Sequence, residues 1–277
     1  MNIHSIDTGF FKLDGGAMFG VVPKAIWNKL NPSDEKNLCT WAMRCLLVEE
    51  GDRLVLIDTG IGDKQGNDFF RHYYLHGEGG LEKSIRQAGY SPDEVTDVFL
   101  THLHFDHVGG ATRYDDRGER IIPRFKNAVY WSNKTHWDWA INPNPREKAS
   151  FLKENLLPLS ESGQLRFVGA QSPFSFMDIL FVDGHTEKQM LPLIRYKNHQ
   201  LLYLADLIPS THHVKPPYVM SYDVRPLLTM EEKERVLQRA ESENYILFFE
   251  HDPLVEAATL ELKDGVRTLS IIASGDL

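Results

Sequence analysis

The feature that most constrains this chain is the segment TDVFLTHLHFDHVGG, residues 96–110. It places four side chains that can bind metal directly behind an apolar run: His102, His104, Asp106 and His107. Groups this close repel each other or compete for solvent unless something binds them together. In an extended segment alternate residues point the same way, so His102 and His104 can reach one cation. Asp106 and His107 follow after a turn and would reach a neighbouring position, so further ligands must come from distant residues.

Other strands of the chain also end in residues that can bind metal. VLIDTG contains Asp58 and LFVDGHT contains His185, while LYLAD ends in Asp206 and LFFEH ends in His251. Strand ends are held rigidly while their loops converge at one rim, as a metal site requires. Imidazole and carboxylate without thiolate suit zinc, iron, manganese or cobalt. His185, Asp206 and His251 are therefore the expected distant ligands, and Asp206 can bridge because a carboxylate has two oxygens.

Short apolar runs bounded by turn residues predict strands that outnumber the helices. The predicted strands are 42–50, 53–58, 95–101, 127–132, 178–184, 191–196, 200–206 and 245–251, and the predicted helices are 81–89, 132–140, 145–156 and 230–243. EEGDR reads as a hairpin turn, and Thr229 with Glu232 reads as a capping box for the last helix. The mixture predicts two sheets packed on each other with helices outside, in a single domain covering residues 1–277.

The composition of the chain argues against several classes of partner and location. The net charge of −9 argues against nucleic-acid or anionic-membrane partners, since phosphates need clustered Lys and Arg. No apolar run is long enough to span a bilayer, and the first residues lack the features of an export signal, so we expect a cytoplasmic protein. Two cysteines are too few for a disulfide framework.

THLHFDHVGG followed in order by DGHT, LAD and EH resembles the metallo-β-lactamase-fold hydrolase superfamily. The resemblance implies an α/β (α+β) protein, an αββα four-layer sandwich with two divalent metal ions at one edge. It implies zinc first, with manganese, iron or cobalt as alternatives. It assigns His102, His104 and His185 to one metal and Asp106, His107 and His251 to the other, with Asp206 bridging. It makes Asp58 an outer carboxylate that orients a ligand loop, and Gly109 and Gly110 allow a tight turn beside the metals.

The expected activity follows from this resemblance. A metal-bound hydroxide attacks an ester-like carbonyl or phosphoryl centre of a small molecule, and Asp106 holds or moves a proton for the leaving group. Asp106 and Asp58 are therefore the expected catalytic residues. A lactone or other small ester is the expected substrate. Two alternatives stay open: an iron-dependent sulfur dioxygenase, and a thioesterase of the hydroxyacylglutathione hydrolase type.

The layout is most similar to the branch of acyl-homoserine lactonases and methyl parathion hydrolase-like enzymes. Residues 1–40 form an amino-terminal extension and residues 61–80 an insertion, which we expect to be lid segments or dimer contacts in a homodimer. The lactonases place a tyrosine three residues after the bridging aspartate, where this chain has Pro209. Tyr218 or Tyr222 are candidates for a phenol supplied from elsewhere.

Two further groups of residues have open roles. Aromatic and apolar residues of the lid segments either build the core or a dimer contact, or else line an apolar entrance: Phe10, Phe11, Met18, Phe19, Val21, Val22, Trp27, Phe69, Phe70, Tyr73 and Tyr74, with Trp131, Trp137 and Trp139 as additions. His212 and His213 follow Asp206 closely, but we expect them to line a pocket or face solvent. His136 is expected to be structural or exposed.

Overall fold

The computed structural model describes residues 1–169, 171–273 and 275, so the predicted domain end at residue 277 lies outside the described residues. The strands are β1 (Asn2–Asp14), β2 (Leu38–Glu50), β3 (Arg53–Ile57), β4 (Asp97–Phe99), β5 (Thr112–Tyr114), β6 (Ile121–Pro123), β7 (Val129–Ser132), β8 (Leu165–Phe167), β9 (Met177–Val182), β10 (Gln189–Tyr196), β11 (His199–Tyr203), β12 (Ile246–Phe248), β13 (Ala257–Lys263) and β14 (Val266–Ile272). The α-helices are α1 (Gly15–Phe19), α2 (Lys24–Trp27), α3 (Asn67–Phe70), α4 (Leu81–Gln87), α5 (Phe105–Val108), α6 (Lys134–Ile141), α7 (Lys153–Glu161) and α8 (Pro226–Glu243).

The described residues divide into two compact units, each made of several chain segments. The first contains Met1–Gly9, Met43–His72 and His76–Ser175. The second contains Phe10–Ala42, Tyr73–Leu75 and the chain from Phe176 onward. The prediction of a single domain is not tested by this division and stays a prediction.

The first unit is built on the sheet β1-β2-β3-β4-β7-β8, to which β1 and β2 contribute residues 2–9 and 43–50. β2 and β3 form the predicted hairpin, with Glu50 opposite Arg53. β3, β4, β7 and β8 are parallel neighbours. Parallel strands end at one edge of a sheet. The residues that follow β3 and β4, which include Asp58 and the histidine motif, therefore meet at that edge.

Helix α7 of the first unit begins eight residues later than the predicted start at 145. The segment 145–150 forms turns instead, because Pro145 and the preceding Pro143 and Asn144 favour them. Pro158 lies inside α7 and has no N–H for the carbonyl of Glu154, four residues earlier. The hydroxyl of Thr112 donates to that carbonyl at 3.2 Å and so replaces the missing bond. The helix therefore tolerates its proline.

The second unit is built on the sheet β14-β13-β12-β11-β10-β9. β11 and β12 are parallel, while β10 is antiparallel to both β9 and β11. β9, β11 and β12 therefore run in one direction and end at one edge, where they are followed by His185, Asp206 and His251. A stacked pair, Tyr203 and Phe248, lies in the buried interior of this unit with ring centroids 5.3 Å apart.

Helix α8 connects β11 to β12 and begins at Pro226, four residues before the predicted start. Proline is well suited to the first helical turn because its fixed φ fits the helix and its missing N–H is not needed there. The predicted capping box is wrong. Thr229 lies one turn inside the helix, where its hydroxyl donates to the carbonyl of Arg225 at 3.3 Å. The carboxylate of Glu232 accepts from the backbone N–H groups of Asp183 and Gly184, and not from the start of the helix.

The segment 1–40 contains strand β1 and the short helices α1 and α2. None of these elements was predicted from the sequence, where the segment was interpreted only as an extension. Several of its aromatic side chains are completely buried, as the core interpretation requires: Phe11, Phe19 and Trp27. Val21 and Tyr74 are exposed. Roles for 1–40 and 61–80 as lid or dimer segments stay predictions. Among the described residues, no helix has both the length and the apolar character needed to cross a membrane.

Candidate metal centre

The four predicted ligands of the first unit lie on the turn after β4 and on α5. Nε2 of His102 is 3.1 Å from Nδ1 of His104, and Nε2 of His107 is 3.8 Å from an oxygen of Asp106. The rings of His102 and His107 are 3.9 Å apart between centroids. All four residues are buried, and Asp106, at 9%, keeps the most exposure. The structure therefore brings the motif residues of this unit together.

Asp58, the predicted outer carboxylate, follows β3 with a positive φ of 58°, a strained backbone conformation for a residue other than glycine. Its Oδ1 accepts the Thr101 N–H at 2.8 Å, and its Oδ2 accepts the Thr101 hydroxyl at 2.6 Å. Oδ2 also lies 3.1 Å from Nδ1 of His107. A proton on Nδ1 leaves the lone pair on Nε2, so this contact favours the tautomer that a metal requires.

Glu147 contacts His104 and was not anticipated from the sequence. It is buried, and its Oε1 lies 3.4 Å from Nε2 of His104. Its Oε2 accepts from the indole of Trp139 at 2.7 Å and from the Asn144 amide at 2.5 Å. It lies 40 residues beyond the motif with no pattern to mark it. Trp139, whose role the sequence left open between the core, a dimer contact and an apolar entrance, donates to this carboxylate.

His136 also supports the motif, as a buried structural histidine. Its Nε2 accepts the Leu103 N–H at 2.9 Å, between the first two motif histidines. Phe151 lies against the ring of His104, with centroids 4.8 Å apart, and against His136 at 5.9 Å. These contacts fix the backbone between His102 and His104.

The glycine pair after the motif is required by a close backbone approach and not by a left-handed conformation. Gly109 has an ordinary helical φ of −57°, but a Cβ there would lie 2.0 Å from the carbonyl oxygen of Ile61. A Cβ on Gly110 would lie 2.2 Å from the carbonyl oxygen of Thr59. Lys64 donates to the carbonyl of Gly109, and burial, with the nearby charge of Arg124, lowers the pKa of this lysine to about 7. Residues 59–64 therefore support the turn that carries His107.

The second unit brings its three predicted ligands together around one carboxylate. Oδ2 of Asp206 lies 3.1 Å from Nε2 of His185, and Oδ1 lies 3.0 Å from Nε2 of His251. His185 and His251 are at most 2% exposed, and Asp206 is 7% exposed. A carboxylate with a different histidine at each oxygen has the arrangement expected of a bridging ligand.

Both histidines of the second unit bind an oxygen acceptor through Nδ1. Nδ1 of His185 lies 2.7 Å from Oδ1 of Asp223, and Nδ1 of His251 lies 2.7 Å from the carbonyl oxygen of Ala42. An oxygen acceptor at Nδ1 favours a proton on that nitrogen, which is the tautomer that allows Nε2 to bind a metal. Asp223 is completely buried and was not anticipated, because it lies 38 residues after His185 in a segment without a motif.

His213 is a buried structural residue and not a ligand. Its Nε2 lies 2.9 Å from the carbonyl oxygen of Met18, and its Nδ1 lies 2.7 Å from the Ser210 hydroxyl. Its ring stacks on Phe19 at 4.9 Å. Burial lowers the pKa of His213 to about 3, so the neutral ring donates at Nε2 and accepts at Nδ1. Burial also lowers the pKa of His212, which is partly exposed.

In each unit, the donor atoms of the predicted ligands fit divalent zinc-like metals. They consist of imidazole nitrogens and carboxylate oxygens without thiolate. In His107, His185 and His251 the nitrogen facing away from the other predicted ligands has an oxygen acceptor. Such acceptors are the outer partners that metal-binding histidines normally have.

Residues 44–251 match the model of the metallo-beta-lactamase superfamily. The chain belongs to this superfamily, as its motifs predicted, and is a metal-dependent hydrolase. The predicted α/β class and αββα fold are confirmed by this match and by the fold of similar solved structures.

The similar proteins include lactonases and a probable metal-dependent hydrolase. The chain is 22% identical to the N-acyl homoserine lactonase AiiA of Bacillus thuringiensis subsp. kurstaki over 236 residues, covering 80% of this chain and 85% of that one. A probable metal-dependent hydrolase from Staphylococcus aureus matches with a TM-score of 0.89 and 28% identity, covering 100% of this chain and 98% of that one. AidC, described as a dizinc quorum-quenching lactonase in complex with a product, matches with a TM-score of 0.78 and 22% identity, covering 98% and 94%.

Proposed function

We propose that this protein hydrolyses a lactone or another small ester with two divalent metal ions held by seven residues: His102, His104, Asp106, His107, His185, Asp206 and His251. Zinc is the proposed metal. The family membership and the lactonase relatives support the substrate class.

The observation that carries the proposal is the arrangement around Asp206. Each of its oxygens lies within 3.1 Å of Nε2 of a different histidine. Both histidines have their Nδ1 directed to another acceptor, Asp223 or Ala42. A buried carboxylate between two imidazoles that present their lone pairs is the chemistry of a shared metal ligand.

The residues of the chain have distinct tasks in this proposal. When bound, the metal pair supplies Lewis acidity, which lowers the pKa of a coordinated water to about 7 and polarises the substrate oxygen. Asp206 holds the two ligand histidines at a fixed separation. Asp58 and Asp223 fix the tautomers of His107 and His185. Asp106 is the most exposed of the motif residues, so its carboxyl can pass a proton to the leaving group.

The test measures hydrolysis by metal-free protein and by protein reloaded with zinc, manganese, iron or cobalt. The substrates are an acyl-homoserine lactone, a simple lactone, a thioester, an aryl phosphotriester and a β-lactam. We expect no activity without metal and fastest turnover of a lactone after reloading. His251→Ala should lose activity, whereas His199→Ala, at an exposed position of β11, should keep it.

Each part of the proposal has its own contradicting result. Full lactone hydrolysis by verified metal-free protein would overturn the metal mechanism. Hydrolysis of thioesters alone would overturn the substrate class and leave the metal centre standing. Oxygen uptake with a persulfide substrate, without ester hydrolysis, would favour the dioxygenase alternative.

A further inference from the structure

The loop after β9 carries His185, and the role inferred for its contacts rests on the proposed metal centre. The backbone amides of Asp183 and Gly184 come directly after Val182, the last residue of β9. His185 follows directly, with its ring between Asp223 and Asp206. The position of its Nε2 therefore depends on what holds the backbone of the two preceding residues.

A single carboxylate on α8 holds both amides. Oε1 of Glu232 accepts the Asp183 N–H at 2.9 Å, and Oε2 accepts the Gly184 N–H at 2.9 Å. Glu232 is buried, and its burial raises the pKa of its carboxyl despite these two bonds. Bonds to a buried carboxylate are stronger than neutral ones. Glu232 therefore holds the loop by two strong bonds at adjacent residues.

Residues before α8 hold the carbonyl side of the same two residues. The guanidinium of Arg225 donates to the Asp183 carbonyl at 2.6 Å, and its backbone N–H donates to the Gly184 carbonyl at 2.9 Å. The N–H of Val224 donates to the His185 carbonyl at 3.2 Å. The loop is therefore bound along both edges of its backbone.

The contact between the loop and α8 leaves no room for a side chain at Gly184. A Cβ on this glycine would lie 2.4 Å from the Thr229 hydroxyl oxygen and 2.5 Å from the Thr229 backbone nitrogen. Glycine is needed here by close packing against the helix.

We infer that Glu232 is a positioning residue of the metal centre, which fixes the backbone of residues 183–185 so that Nε2 of His185 faces the metal. Glu232 acts through the loop and not on substrate. It lies outside the predicted ligands and was interpreted from the sequence only as part of a helix cap.

The test is the zinc affinity of Glu232→Gln, measured by competition with a chromophoric chelator. A carboxamide oxygen accepts one of the two amides, while its NH₂ group faces the other donor and repels it. We expect the affinity for one of the two metals to fall about 10–100-fold, the usual effect of losing an outer partner. The cobalt-loaded variant should show an altered visible absorption spectrum. Glu231→Gln, at the exposed neighbouring position, should match the wild type.

Gly184→Ala supplies a second variant that leaves Glu232 intact and displaces the loop from Thr229. It should lower the affinity for the same metal. Zinc affinity within threefold of the wild type in both folded variants would overturn the inference. Failure of both variants to fold would also overturn it, since the contact would then support the whole fold and not the site. Wild-type protein that binds no metal would instead overturn the proposed function.

Discussion

At the scale of single residues, the second nitrogen of each imidazole distinguishes ligand candidates from structural histidines. His107, His185 and His251 have Nδ1 at an oxygen acceptor and Nε2 directed toward a predicted ligand. His213 uses both nitrogens for oxygen atoms of its own unit. The sequence can locate histidines but cannot show their second partners. This is why Asp223 and Glu147 could not be predicted, whereas candidate ligands could be named from their residue types and spacing.

Gly109→Ala tests the close backbone approach between Gly109 and Ile61. The new Cβ would meet the Ile61 carbonyl at 2.0 Å, so residues 109 and 61 must separate. We expect the free energy of unfolding of the metal-free protein to fall by about 1–3 kcal/mol, measured by urea denaturation. Gly66→Ala is the matched control, because Gly66 has an ordinary φ of −73° and open space around it. Equal stability of the two variants would contradict this role for Gly109.

At the scale of elements, the strands with long apolar runs were predicted and the strands with mixed faces were missed. β13 alternates apolar with polar residues, β14 mixes the two without a regular period, and β1 was interpreted as part of an extension. A signal for β13 and β14 existed in Asp264-Gly265, a favoured hairpin turn whose residues both have positive φ. The start of α8 was missed because Thr229 and Glu232 match a cap pattern, although Glu232 binds a loop 48 residues away.

Lys233 on α8 provides a test of how elements are joined. Its ammonium group donates to the carbonyls of His213, Lys215 and Tyr218 at 2.8–3.1 Å. Lys233→Met leaves these three acceptors without their donor, so we expect the free energy of unfolding at pH 7 to fall by about 1–3 kcal/mol. Lys29→Met, at an exposed position, should have little effect.

The same lysine predicts a pH dependence. Burial lowers the pKa of Lys233 to about 8, below its value of about 10.4 in the unfolded chain. Between these values the unfolded chain holds more protons, so this group makes the free energy of unfolding rise with pH. The difference in stability between wild type and Lys233→Met should therefore grow from pH 8 to pH 10. A constant difference across this range would show that Lys233 titrates normally.

At the scale of the whole molecule, the proposed ligands come from residues 102–251 and were predicted in order from the sequence. Their residue types and strand-end positions are local properties, which a sequence contains. The contacts that orient the ligands are not local properties. Ala42, for example, supports His251 from 209 residues away through a backbone carbonyl that any residue could supply. Substrate specificity could not be predicted either, because Pro209 departs from the tyrosine that the resemblance to the lactonases implies at this position.

The proposed ligands are far apart in the sequence, so a metal can bind them together only when the chain is folded. We therefore expect metal binding to stabilise the folded protein. A metal that binds only the folded state at 1,000 times its Kd contributes about 4 kcal/mol. Thermal unfolding should therefore shift upward when zinc is added to metal-free protein. Asp206→Asn should reduce this shift, and Asp178→Asn, at an exposed site of β9, should preserve it. Identical unfolding with and without zinc would contradict the prediction.

The central claim is that seven residues bind two metal ions, and the most direct measurement is anomalous X-ray scattering from crystals of the metal-loaded protein at the absorption edge of the metal. We expect two peaks, one coordinated by His102, His104 and His185, the other by Asp106, His107 and His251, and both by Asp206. The absence of peaks at these side chains, or peaks coordinated by other residues, would contradict it.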